Sequence, residues 1–89
     1  MTNSNRTPEE DILYQALTSH SVGEIEKAAK SYQLLLDNGF AHPKFFANYG
    51  VFCKQIDQKD KAIKLFQQSI EIYPKYSKAY MNLANLLRD

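Results

Sequence analysis

The residues that could supply a nucleophile and its base in this sequence of 89 amino acids are one cysteine and two histidines: Cys53, His20 and His42. Nucleophilic catalysis needs the nucleophile, a base and an orienting group together in one pocket. Cys53 falls in an apolar slot of a helical pattern, where cysteine packs as a small hydrophobic residue, and both histidines flank turns. The sequence therefore predicts no catalytic residue and no enzymatic activity.

A metal or cofactor site is not predicted either. The cysteine and the two histidines lie too far apart in sequence to form a recognised zinc cluster, and no glycine-rich phosphate loop occurs. A single cysteine cannot form an internal disulfide, which agrees with a reducing compartment.

Composition narrows the classes of function that remain for a protein that is not an enzyme. Eleven basic and ten acidic side chains leave a net charge of +1, without the positive excess that draws proteins to nucleic acid. No apolar run is long enough for a secretion signal or a membrane span. With 44% hydrophobic residues, the chain is expected to form one small cytoplasmic domain that binds neither nucleic acid nor membrane.

The elements that must position any site follow from an internal repeat of 34 residues. Within each unit, apolar residues recur at spacings of three and four, which places them on one stripe of a helix. The positions that align are Ile12 with Phe46 and Tyr80, Ala16 with Gly50 and Ala84, Ala28 with Ala62, and Tyr32 with Phe66.

Start and stop signals divide the chain into five predicted helices. Thr7 and Glu10 can form a capping box around a proline, so helix one should begin there and end near His20. A second capping-box spacing, from Ser21 to Glu24, should precede helix two. That helix runs to about residue 37 and ends through left-handed geometry at Asn38-Gly39.

The other three helices are bounded in the same way. Pro43 should open helix three, which ends near Gln55. Asp57 is the predicted cap of helix four, which stops before Pro74. Ser77 is the predicted cap of a fifth helix that reaches the end of the sequence.

The segments Phe46-x-x-Tyr49-Gly50-x-x-Cys53, Ala62-x-x-x-Phe66 and Pro74 closely resemble the signature of the tetratricopeptide repeat family. This resemblance implies an all-α fold, a right-handed α-solenoid of antiparallel helix pairs with about two and a half units. The units would be 9–42, 43–76 and a half unit, 77–89, within a repeat domain 8–89 that follows a flexible segment, 1–7. The first unit departs from the pattern, since Gln15 and Ser19 stand in apolar slots.

Small residues are predicted where paired helices cross most closely. Ala16, Gly50 and Ala84 occupy equivalent crossing positions on the first helices. Ala28 and Ala62 are expected to lie at the facing positions on the second helices. We expect Gly50→Leu to destabilise the fold by about 1–3 kcal/mol through overpacking.

A binding site is expected on the first helix of each unit, because these helices line the inner side of such solenoids. Four further residues, Glu10, Leu13, Leu17 and Ala47, are also predicted to lie on that inner face. The residues predicted to contact a peptide are Tyr14, Lys44, Asn48, Val51, Lys54, Lys78, Met81, Asn82, Asn85 and Arg88.

Two asparagines and four cations distinguish that set. Asn48 and Asn82 lie one period apart, and an amide can both donate to and accept from a peptide backbone. The stretch around Asn82 resembles repeats of O-GlcNAc transferase-type proteins, whose inner asparagine ladder implies sequence-independent binding of an extended peptide. Lys44, Lys54, Lys78 and Arg88 would make the same face basic, so an extended or short helical peptide of acidic character is the predicted partner.

A self-assembly module is the alternative function. The fifth helix carries Tyr80, Leu83, Leu86 and Leu87, and in a complete repeat a second helix would cover them. The sequence thus predicts either a homo-oligomer formed through this helix, about a twofold axis, or the N-terminal piece of a longer array.

Overall fold

The computed structural model describes residues 6–88 and divides the chain into two compact units. Unit 1, Met1–Phe40, contains α1 (Pro8–Ser21) and α2 (Ile25–Asp37). Unit 2, Ala41–Asp89, contains α3 (Pro43–Gln55), α4 (Lys59–Ile72) and α5 (Ser77–Arg88). No strand occurs among the described residues, which confirms the all-α helical repeat fold. α1 packs on α2 and α3 packs on α4, while α5 contacts both α3 and α4.

The start of α1 has the predicted capping box. The hydroxyl of Thr7 accepts from the backbone N–H of Glu10 at 3.1 Å, and the Glu10 carboxylate accepts from the N–H of Thr7 at 2.8 Å. Arg6 lies 3.1 Å from the carboxylate of Asp11. The predicted flexible segment therefore ends too late, since Arg6 and Thr7 are held by α1, and its residues 1–5 lie outside the described part of the chain.

The predicted cap of α2 is wrong. Ser21 is the last residue of α1, and its hydroxyl donates to the carbonyl of Thr18 at 2.9 Å. The N-cap residue of α2 is Glu24, whose side chain makes no capping hydrogen bond. What shapes this turn is the end of α1, where Gly23 has a φ of +82°.

The predicted cap of α4 is wrong for the same reason. Asp57 has a φ of +65° and lies 34 residues after Gly23, at the equivalent point of its turn. The N–H of Gln58 donates to the carbonyl of Cys53 at 2.7 Å, as the N–H of Glu24 does to Ser19 at 2.9 Å. This bond, from an N–H to the carbonyl five residues earlier, is that of the Schellman motif, which requires a left-handed residue just before the donor.

The end of α2 and the start of α5 lie close to their predicted positions. Gly39 has a φ of +76°, and the N–H of Phe40 donates to Leu35, so the predicted left-handed stop is confirmed at Gly39. α5 begins at Ser77 itself rather than after it, a difference of one residue.

The small residues expected at helix crossings are buried in each complete helix pair. Ala16, Ala28 and Ala62 are fully buried, and Gly50 is buried as well. A Cβ added at Gly50 would lie 2.5 Å from the ring of Phe66, so the residue that faces Gly50 most closely is Phe66. Ala84 is exposed, because no described helix crosses α5 there.

A buried hydrogen bond also joins α3 and α4. The hydroxyl of Ser69, which is fully buried, donates to the carbonyl of Pro43 at 2.7 Å. This bond joins the last turns of α4 to the first turn of α3 and satisfies the buried hydroxyl of Ser69.

Candidate functional site

The predicted binding residues of unit 2 lie on α3 and α5, which contact each other. Each helix repeats the same spacing of three positions, Lys44, Asn48 and Val51 on α3 and Lys78, Asn82 and Asn85 on α5. Such a spacing of four and three residues keeps side chains on one side of a helix. We use the name groove face for these six residues together with Lys54, Met81 and Arg88.

Most of the groove face is accessible. Its four cations, Met81 and Asn85 are exposed, whereas Asn48, Val51 and Asn82 are half-buried. Ala47 was predicted to lie on the same face but is buried, with 4% of its surface exposed. The face therefore has charged ends and a centre made by two amides and a valine.

The two asparagines at the centre have free hydrogen-bonding capacity. Among residues 6–88, neither the side chain of Asn48 nor that of Asn82 has a hydrogen-bond partner, while Asn85 accepts from Arg88 at 2.8 Å. A half-buried amide without a protein partner can donate to and accept from a bound backbone. The described structure thus leaves the predicted pair available for a ligand.

Tyr14 belongs to unit 1, and its surroundings differ from those of the groove face. The guanidinium carbon of Arg6 lies 4.5 Å from the centre of its ring. Tyr14 also lines an open cleft of about 400 Å³ between α1 and α2, beside Gln15 and Ser19. This cleft lies where the helical stripe of unit 1 has polar residues in place of apolar ones.

Charge is distributed unevenly between the two units. Residues 1–40 contain three basic and six acidic side chains, a net charge of −3, whereas residues 41–89 contain eight basic and four acidic ones, a net charge of +4. The two values add to the net charge of +1 of the whole chain. Unit 2 is therefore strongly basic in a nearly neutral protein, and the groove face carries half of its cations.

The leucines of α5 do not all lie on one exposed face. Leu86 is 3% exposed and Ala79 is fully buried, because these residues face α3 and α4. Leu87 is 61% and Tyr80 47% exposed, and Leu83 is half-buried. The prediction that Leu86 belongs to an exposed association surface is thus wrong, whereas Tyr80 and Leu87 are accessible.

Each of the three residues considered for nucleophilic chemistry has a packing or hydrogen-bonding role in the fold. Cys53 is fully buried, and burial raises the pKa of its thiol, with Lys61 acting in the opposite direction. The Nδ1 atom of His20 lies 2.8 Å from the hydroxyl oxygen of Tyr32, within hydrogen-bonding distance. His42 is the N-cap of α3 and accepts from the N–H of Lys44 at 3.1 Å, a role that its place before a proline could have indicated.

Two further findings concern the described residues as a set. Residues 6–88 contain no group of three or more histidine, cysteine, aspartate or glutamate side chains placed to hold a metal ion. None of their helices combines the length and the apolar character that crossing a bilayer requires.

Comparison with protein families gave two overlapping matches, and both families are described as tetratricopeptide repeat. One match covers residues 43–76, the middle unit defined by the 34-residue period, and the other covers residues 65–89. Together they span residues 43–89, more than half of the chain. No curated protein and no solved structure matched the sequence.

Proposed function

We propose, from the premise that this chain belongs to the tetratricopeptide repeat family, that it binds an acidic peptide segment on the groove face of unit 2. Repeats of this family generally mediate protein–protein interaction, and they are typically not catalytic. The single observation that carries the proposal is the pair of unbonded, half-buried amides between exposed cations.

The chemistry of the face favours an extended or short helical acidic ligand. Asn48 and Asn82 would satisfy backbone groups without selecting a sequence, like the asparagine ladder of the O-GlcNAc transferase-type repeats that α5 resembles in sequence. Lys44, Lys54, Lys78 and Arg88 would attract carboxylates. Since these cations are exposed, each is expected to contribute only about 0.2–1 kcal/mol, so binding should be weak and sensitive to salt.

The test measures fluorescence anisotropy with labelled pools of acidic, basic and uncharged peptides. We expect the acidic pool to bind most tightly and its affinity to fall as salt is raised. The Lys78→Ala/Arg88→Ala variant should reduce the salt dependence, and Asn48→Ala/Asn82→Ala should weaken binding of every pool. Equal binding of the three pools, together with normal binding by the asparagine variant, would rule out the groove face.

A matched control is available on α4. Lys59 and Lys64 are also exposed cations of unit 2, but they lie outside the groove face. The Lys59→Ala/Lys64→Ala variant removes the same net charge as Lys78→Ala/Arg88→Ala. If both double variants lose the same affinity, the effect comes from net charge alone, and the groove face has no specific role.

Self-association through α5, the alternative expected from the sequence, is less favoured by the charges. The described residues of α5 include Lys78 and Arg88 and no acidic side chain. Two copies of α5 related by a twofold axis would therefore bring like charges together in either direction.

A further inference from the structure

The charged residues of α3 and α5 are all cations, and all belong to the groove face. They are Lys44 and Lys54 of α3 and Lys78 and Arg88 of α5. Neither helix contains an acidic residue. Among residues 6–88, none of the three lysine side chains has a hydrogen bond or an ion pair, whereas Arg88 donates to Asn85. The groove face thus has three cations whose charge no described residue neutralises.

The four cations form two pairs. Lys44 is the second residue of α3, and Lys78 is the second residue of α5. Lys54 and Arg88 follow ten positions later on the same helices, in the last turns. We call Lys44 and Lys78 the first-turn pair, and Lys54 and Arg88 the last-turn pair.

The two pairs lie at opposite ends of the groove face. The hydrogen bond from Ser69 to the carbonyl of Pro43 places the last turns of α4 beside the first turn of α3. α5 starts after the four residues 73–76 that follow α4, and it packs on both α3 and α4. The first turns of α3 and α5 are therefore at the same end of unit 2. Because a helix rises about 1.5 Å per residue, about 15 Å separates the two pairs along the helices.

The groove face between the two pairs is uncharged. Its centre holds Asn48, Val51 and Asn82, all half-buried, and the two amides have no hydrogen-bond partner among residues 6–88. A helical ligand bonds most of its backbone N–H and C=O groups internally, whereas an extended ligand leaves them open to such amides. The centre of the groove face therefore favours an extended ligand.

The first-turn pair occupies positions where helices disfavour cations, since the N-terminal end of a helix carries a partial positive charge. The other three helices have acidic residues in their first turns, namely Glu9 among others in α1, Glu26 in α2 and Asp60 in α4. α3 and α5 have none there. Such a departure from a local rule is expected where function requires it. It supports a role for Lys44 and Lys78 in binding an anionic group.

We infer, resting on the proposed function, that the groove face binds an extended segment of another protein with acidic residues at positions i and i+4 and uncharged residues between them. In an extended chain, side chains four positions apart point to the same side and lie about 13 Å apart. Each carboxylate then meets one pair of cations, and the backbone between them meets Asn48 and Asn82. The segment lies along the helices, because one that crossed from α3 to α5 would meet a single pair.

Capped, labelled peptides of one composition test the spacing. Each has two glutamates among uncharged residues, separated by four, three or one positions, and a counterpart has glutamine in place of both. The peptide with a separation of four should bind the full-length protein about three- to tenfold more tightly than the other two, because it alone reaches both pairs. Separations of three and four share one side of a helix, so equal binding of those two peptides would overturn the extended ligand.

Two double variants with the same change in charge locate the contacts. In Lys44→Ala/Lys78→Ala and in Lys54→Ala/Arg88→Ala, one pair of cations remains, so each variant should lose the preference for a separation of four. Lys59→Ala/Lys64→Ala, outside the groove face, should keep it. Since Lys44→Ala/Lys78→Ala removes cations from two first turns, its midpoint of urea denaturation should not fall below that of the wild type, which separates lost binding from lost folding.

The remaining outcomes distinguish this ligand from the proposed function itself. If the glutamine counterpart binds as tightly as the acidic peptides, the proposed function fails. If the three acidic peptides bind more tightly than the counterpart but equally to one another, the groove face keeps an acidic ligand and the predicted spacing is wrong. A preference for a separation of four that survives in either groove-face double variant would also refute the two-pair contact.

Discussion

At the scale of single residues, Gly50 is the glycine with the least room for a side chain. Three atoms of the Phe66 ring would lie 2.5, 2.8 and 2.9 Å from an added Cβ, and that ring is fully buried. Alanine favours a helix over glycine by about 1 kcal/mol. We nevertheless expect Gly50→Ala to destabilise the protein by about 1–3 kcal/mol, because either the ring or the helix must move. Urea denaturation followed by circular dichroism measures the difference.

A second substitution tests the cause of that effect. Phe66→Leu removes the ring that the new methyl group would meet, so the loss from Gly50→Ala should be much smaller in the Phe66→Leu background. Additive losses would show that the two residues do not interact.

Cys53 provides a prediction on pH. Its pKa in the folded protein is raised above the ordinary value of 9.0, mainly by burial. As pH rises past 9.0, the unfolded chain loses this proton while the folded chain keeps it. The free energy of unfolding should therefore fall with rising pH in that range. Comparing the pH dependence of the wild type with that of Cys53→Ala isolates this part, and identical slopes would contradict it.

At the scale of the helices, the turns after α1 and α3 need a left-handed residue. Gly23 fills that position after α1, and Asp57 fills it after α3 with a φ of +65°. Because the left-handed region disfavours side chains, Asp57→Gly should stabilise the protein by about 0.5–1 kcal/mol. Thermal and urea denaturation measure the gain.

Gly23→Ala is the matched reverse change. A Cβ at Gly23 would meet nothing within 4 Å, so its φ of +82° is the only source of strain. A loss of about 1 kcal/mol is expected. If Asp57→Gly destabilised while Gly23→Ala had no effect, these turns would not depend on left-handed geometry.

At the scale of the whole molecule, the two units differ in their cores. Tyr32 is the buried aromatic residue among the described part of unit 1, whereas unit 2 buries Phe45, Phe46, Tyr49, Phe52 and Phe66. Unit 1 also places polar Gln15 and Ser19 beside an open cleft. Less buried apolar surface means that local opening requires less free energy.

Amide hydrogen exchange should therefore be faster in α1 and α2 than in α3 and α4, by about tenfold or more. Mass spectrometry of exchanged peptides gives the protection of each helix. Uniform protection across the four helices would mean that both units unfold together in a single cooperative step.

The sequence by itself determined the five helices, their limits to within about two residues and four of the five small residues at helix crossings, since Ala84 is exposed. These features depend on interactions within a few residues, such as the capping box of Thr7 and Glu10, or on a pattern that repeats every 34 residues. The period also placed the nine groove-face residues on equivalent helices. Their role in binding stays a prediction.

The tertiary structure decided which neighbours are buried and which turns need a left-handed residue. Asp57 was expected to cap α4, but the end of α3 determines its conformation. Leu86 and Leu87 look alike in sequence, yet successive residues of a helix point about 100° apart. Only the packing of α5 on α3 and α4 determines that Leu86 is buried and Leu87 exposed. That choice depends on contacts between residues far apart in the chain, which helical periodicity alone does not specify.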